Sequence, residues 1–228
     1  MILIRCLLLV LLTSITATGV AYAHRPVFPR EATTYTQAYT VANTQRSKAY
    51  YLELLEPLKP AWFRFDGEAG EQVAVQIGLP LIRRLAGFRP QAVLLGPGLP
   101  PVEVPFPAPP GLGGILIDTR GKEPERFDEP VTQTSSWILA KESIPLAASG
   151  THYLAVFAPE GERGKAWVSI GDREAFRIGD LLLLPFWIRE VRAYHEVPGW
   201  PAWLVVVAAV AGAGAVWLIR RAAIALSS

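Results

Sequence analysis

Polar and hydrophobic positions alternate with a period of two through the middle of this chain, and unbroken apolar runs replace the alternation near both ends. Ala49-Tyr50-Tyr51-Leu52-Glu53-Leu54, Ala61-Trp62-Phe63-Arg64-Phe65 and Gln72-Val73-Ala74-Val75-Gln76-Ile77 carry the aromatic and β-branched composition of half-buried strands. Gln91 to Leu95, Ile115 to Asp118 and Ser136 to Leu139 read as further strands. His152 to Phe157 and Lys165 to Ile170 alternate on either side of the polar link Pro159 to Gly164, and this pair predicts a hairpin. With roughly eight short strands and no long amphipathic helix before residue 175, the pattern predicts an all-β fold, an antiparallel sandwich over 49–171. Proline and glycine are too dense between Leu99 and Gly114 for a ladder, which predicts a loop over the sheet edge. Arg120 to Pro130 reads as a charged loop, and 24–48 as an extended arm.

The apolar runs predict topology. Cys6 to Val20 follows a single Arg5 and closes on Ala21-Tyr22-Ala23, the pattern of a signal peptide over 1–23. Pro201 to Ile219 carries no charge, enough for one helix to cross a hydrocarbon core of about 30 Å, so 200–221 reads as a single transmembrane helix. Arg220 and Arg221 follow at once, which places 222–228 in the cytoplasm and the sandwich outside it. Between sandwich and span, Leu181 to Leu184, Phe186, Trp187 and Ile188 precede Arg189, Arg192, Tyr194 and His195. This predicts an amphipathic interfacial helix within 172–199, lying on the membrane surface.

Charge and cysteine usage narrow the partners. Of 22 basic residues, Arg5, Arg220 and Arg221 flank the apolar runs, so the expected exported part is nearly neutral against 20 acidic residues. It shows no basic stripe for nucleic acid. The single cysteine, Cys6, falls in the expected signal peptide, which leaves a mature domain without disulfides or thiolate ligands.

Two stretches resemble the bacterial pre-peptidase C-terminal domain, a jelly-roll β-sandwich found on exported proteins. One is Ala61-Trp62-Phe63-Arg64-Phe65 with Gly67 and Ala69-Gly70-Glu71-Gln72-Val73. The other is Ala148 to Val156 with Gly164 to Ile170. The resemblance implies a jelly-roll-like sandwich on an exported protein and brings no activity with it. Lys59-Pro60-Ala61-Trp62 stands where that family often has acidic residues, so its cation corner is not carried over.

Candidate chemistry is sparse. His24 would become the mature N-terminus, where its α-amine and imidazole suit Cu(II), with His152 as the second nitrogen ligand of a copper site. The bland alternative is that His152 simply begins a strand. Glu123, Glu125, Asp128 and Glu129 offer oxygens for calcium, or form a solvated loop. Trp62, Phe63, Phe65, Tyr153, Phe157 and Trp167 offer rings to a sugar, or pack a core. No serine sits in a nucleophile elbow and three histidines supply few bases, so an enzyme is not expected. The small residues Ala208, Gly212, Ala211 and Ala215 allow lateral association of the span with itself or a neighbour. The sequence therefore predicts a non-catalytic, membrane-anchored extracytoplasmic binding or assembly module. Leu99–Gly114 and Arg120–Pro130 are its expected partner loops, and copper binding through His24 is the alternative.

Overall fold

Two sheets packed face to face account for the alternation. The computed structural model describes residues 25–29, 32–56, 58–159, 162–173 and 178–226, and side chains of the last helix as far as residue 217. The expected signal peptide and His24 lie outside the described residues. Strands β1 (Arg25–Val27), β3 (Lys48–Leu54), β5 (Gln72–Pro80), β8 (Glu125–Glu129), β9 (Thr134–Pro145) and β11 (Gly164–Ile170) form the first sheet, in the order β1-β3-β11-β5-β9-β8. The second holds β2 (Tyr39–Thr40), β4 (Ala61–Gly67), β6 (Gln91–Gly96), β7 (Gly113–Ile117) and β10 (Gly150–Phe157), in the order β2-β4-β10-β6-β7. The core between them is built from inward positions two residues apart. Tyr50, Leu52 and Leu54 on β3 meet Phe63 and Phe65 on β4, and Val73, Val75 and Ile77 on β5 face Leu154 and Val156 on β10.

Several expectations need correction. The sheets are mixed, because the expected arm contributes β1, parallel to β3, and β2, parallel to β4. Both are too short to show a period in sequence. The expected hairpin is an arch: β10 lies between β4 and β6 in the second sheet, whereas β11 lies between β3 and β5 in the first. Alternation fixes which residues of a strand face inward and is satisfied equally well in either sheet. The charged loop contains β8, whose free edge is marked by charged side chains, as edge strands often are.

The proline-rich segment covers the outer face of the second sheet as well as running past its end. Phe106 packs edge-on to Trp62 and Phe157, with ring centroids 5.6 and 5.0 Å apart, over Val93, Leu95 and Ala155. Trp62 and Trp167 are 1% and 5% exposed, which removes a sugar platform built on them. The aromatics of the alternating strands pack the protein.

Helix α1 (Leu184–Tyr194) lies on the outer face of the first sheet and buries Ile188, Val191, Arg192 and Tyr194 there. The apolar stripe expected to rest on lipid is thus occupied by protein. Leu182, Leu183 and Phe186 on its other side are exposed. Helix α2 (Ala202–Leu226) follows after a short turn. Among the described residues, no helix is long and apolar enough to cross a membrane, and α2 contributes side chains to that statement only as far as residue 217.

Candidate functional site: a cavity under helix α1

A cavity of about 70 Å³ lies between α1 and the first sheet. Its floor comes from outward-facing sheet residues. Tyr51 on β3 pairs with Trp167 on β11, and Trp167 pairs with Gly78 on β5. Gly78 lets the indole lie flat, since a Cβ there would come within 2.2 Å of Trp167 Cζ2 and 2.6 Å of the Trp137 carbonyl oxygen. Phe127 and Glu129 on β8 close one side, Arg25 and Pro26 on β1 the other, and Trp187, Ile188 and Val191 of α1 form the roof.

Polar groups in the wall are held in definite states. His195 Nδ1 lies 2.9 Å from the Val191 carbonyl and must carry the proton it donates there, so Nε2 is the acceptor. Ser136 Oγ, 3.1 Å away, donates to Nε2 and accepts from Trp167 Nε1 at 3.2 Å. Burial pushes the His195 imidazole down to about 4, which keeps it neutral near pH 7. Both of the serine's hydrogen-bond roles are thus filled by the wall. Glu129 accepts from the Val131 and Thr132 backbone amides at 3.1 and 2.6 Å and from Thr132 Oγ1 at 2.5 Å. Burial, then the Glu129 charge, holds the Tyr51 hydroxyl well above the usual phenol range.

The roof is pinned at its C-terminal end. The Tyr194 hydroxyl sits 2.8 Å from the carbonyls of Leu52 and Ala166. Lys165 Nζ donates to the Tyr194 carbonyl at 2.9 Å, and Glu196 takes Lys165 and Arg84 together. Buried Arg192 reaches beyond the helix. Its Nε donates to the Gly199 carbonyl at 2.7 Å, Nη2 to Pro198 at 2.6 Å and Nη1 to Thr132 at 2.7 Å. The turn between β8 and β9 also receives Trp203 Nε1 on the Val131 carbonyl at 2.8 Å, and Gln133 Oε1 accepts from the Ala202 amide at 3.0 Å. Val131 and Thr132 therefore line the cavity and hold the root of α2 with the same few atoms.

Of the two residues expected to bind copper, His24 lies outside the described residues and His152 is sealed. His152 is fully buried, with Nδ1 donating to the Gly150 carbonyl at 3.0 Å and its ring stacked 5.6 Å from Phe65. Nε2 has no hydrogen-bond partner and packs so closely on Gly96 that a Cβ there would sit 2.6 Å away. Metal access to that nitrogen requires the packing to open. Among the carboxylates considered for calcium, Glu125 pairs with Lys141, Asp128 with Arg126, and Glu129 caps its own turn. Among the described residues, no group of three or more His, Cys, Asp or Glu is placed to hold a metal.

The sequence placed Ser136 in a strand, Trp187, Arg192 and His195 in an interfacial helix and Glu129 among oxygens for calcium, and it did not bring them together as one site. The available signal was slight, a tryptophan on the outward side of β11, where Trp167 and Ser169 are both buried.

No family model matches the sequence, and no curated protein does. Among solved structures, the fold is similar to the pre-peptidase C-terminal domain of collagenase from Bacillus anthracis, at 12% identity over 62% of this chain and 96% of that one, with a TM-score of 0.32. It is also similar to CorA, a surface-associated copper-binding protein of Methylomicrobium album BG8, at 8% identity over 65% of this chain and 100% of that one, with a TM-score of 0.34. MopE, a secreted protein of Methylococcus capsulatus in which an oxidized tryptophan facilitates copper binding, matches at 11% identity over 66% and 100%, with a TM-score of 0.29. At TM-scores this low the likeness extends to no residue, ligand or activity.

Proposed function

We propose that this chain is a non-catalytic binding module seated on the outer face of a membrane by α2, with the cavity under α1 as its ligand site. The observation that carries the reading is the Arg192 clamp. One buried guanidinium ties Pro198 and Gly199, at the root of α2, to Thr132 in the cavity wall. A ligand site and an apolar helix built on the same turn are held in a fixed relation to each other.

The helix itself supports the anchor. Its backbone runs for 25 residues, about 37 Å at about 1.5 Å per residue, against about 30 Å of hydrocarbon. Ala202 to Ile219 carries no charge, and Arg220 and Arg221 follow. Val205, Val206 and Val207 are 54%, 60% and 43% exposed, an apolar surface that water disfavours and lipid accepts. Trp200, 48% exposed, directly precedes α2, where headgroups would meet it. Cys6 to Val20, followed by Ala21-Tyr22-Ala23, supports export of the sandwich.

Alkaline carbonate washing of membranes tests the anchor. The full chain is expected in the pellet, and Ala209→Lys, which places a charge mid-helix at a cost of about 3 kcal/mol, is expected to move much of it to the supernatant. Full release of the unaltered chain would overturn the reading.

A further inference from the structure

We propose that the cavity under α1 binds a quaternary ammonium group carried on a zwitterion, the chemistry shared by phosphocholine, betaines and choline lipid headgroups. This deepens the binding-module reading by naming the ligand class of its site. Four aromatic side chains line the cavity: Tyr51, Phe127, Trp167 and Trp187. The negative faces of such rings attract cations, and several of them around one space suit a cation too bulky and too weakly hydrated for hydrogen bonding. Glu129 adds a fixed negative charge to the same wall. Its carboxylate is held in place by the Val131 and Thr132 amides.

Size and charge order agree with this assignment. On the scale where one water needs about 10–15 Å³, 70 Å³ holds about five to seven water-sized groups, a range that includes the heavy-atom count of a tetramethylammonium head. Arg25 stands exposed in the lining with its guanidinium 5.4 Å from the Trp187 ring, which puts a positive charge on that side of the cavity. With Arg25 and Glu129 both in the lining, a ligand with a positive head inward and an anionic group toward Arg25 matches both ends. A metal finds no ligand cluster among the described residues. A nucleophilic role for Ser136 is opposed by its burial, by the Trp167 Nε1 donor on its oxygen, and by the weak basicity of the buried His195 imidazole beside it.

The test uses the full chain in maltoside micelles, titrated with phosphocholine, tetramethylammonium and 3,3-dimethylbutanol, the neutral carbon isostere of choline, by calorimetry. Phosphocholine and tetramethylammonium are expected to bind about tenfold more tightly than the neutral isostere. Trp187→Leu and, separately, Phe127→Leu on the edge strand should each weaken both cations about tenfold with the thermal transition retained. Arg25→Ala should weaken phosphocholine and leave tetramethylammonium no weaker, since it removes a like charge and frees a face of Trp187. Equal binding of the neutral isostere, no binding of either cation, or full affinity in both ring variants would overturn the proposal. Nanodiscs identify the source: loss of free phosphocholine binding in phosphatidylcholine discs but not in phosphatidylglycerol discs assigns a lipid headgroup, and equal binding in both assigns a free solute. Failure of the anchor would appear in the carbonate wash and leave the micelle titration intact.

Discussion

Replacing Arg192 with methionine is expected to lower the unfolding free energy by about 3 kcal/mol and to loosen the junction between sandwich and α2. The guanidinium supplies donors to the carbonyls of Thr132, Pro198 and Gly199, and a thioether supplies none. Stripping the buried Thr132 carbonyl of its donor costs about 1–3 kcal/mol, and the part-buried Pro198 and Gly199 carbonyls add less because water reaches them. At a urea dependence of about 2 kcal/mol per molar, the midpoint should fall by about 1.5 M. Arg192→Lys tests geometry against charge, because an ammonium cannot reach both the β8–β9 turn and the α2 root with the spread of a guanidinium. It should recover less than half of the loss. Limited proteolysis should find a new cut between Pro198 and Ala202 in the methionine variant alone. An unchanged midpoint together with an uncut junction would remove the clamp from the account.

Gly78→Ala is expected to be comparably damaging, although it adds one methyl group. The methyl would enter the space of the Trp167 ring and meet the Trp137 carbonyl oxygen, which belongs to the backbone and cannot swing aside. The position also lies where the β5–β9 register shifts, so the strand cannot slip to relieve the overlap without further loss of pairing. The indole must rise into the cavity and give up its hydrogen bond to Ser136. Overpacking of this kind costs about 1–3 kcal/mol, and the backbone contact puts the expected value near the upper limit, about 3 kcal/mol. A double-mutant cycle separates the causes. In the Trp167→Leu background the added methyl meets a shorter side chain, and the Gly78→Ala penalty should fall, the part due to the Trp137 carbonyl remaining. Strict additivity would show that the ring is not what glycine accommodates. Because Trp167 forms the cavity floor, phosphocholine affinity should fall with the single substitution as well.

These two positions show what the sequence held and what it withheld. Most strand cores were legible, because burial between two sheets imposes the period of two on Tyr50, Leu52 and Leu54 and on their counterparts, whereas of the twelve-residue β9 only Ser136 to Leu139 was. The partner of each strand was not legible. Sheet membership depends on how the chain crosses the sandwich, and the Pro159 to Gly164 link carries the same polar composition in an arch as in a hairpin. β8 was read as a loop because it is exposed along most of its length and charged, the features that protect an edge. The amphipathic character of 181–195 was plain, but its destination was not, since an apolar stripe fits a bilayer and a sheet equally well. The copper pair illustrates the same limit. Two histidines were visible in the sequence, and only the structure shows His152 closed in by Phe65 and Gly96. The cavity unites residues as distant as Ser136 and His195, and neither motif nor spacing connects them.

The central claim is a sandwich seated outside a membrane on a helix whose far end faces the cytoplasm, and the cysteine content makes it directly testable. Cys6 is the only thiol in the chain. In a Cys6→Ala background, Glu103→Cys on the exposed proline-rich segment and Ser228→Cys after Arg221 each give a single reporter for a membrane-impermeant maleimide applied to intact cells, or to spheroplasts where an outer membrane intervenes. The account predicts labelling at position 103 without permeabilisation and at position 228 only after it. Labelling of position 228 in unbroken cells, or protection of position 103, would contradict it.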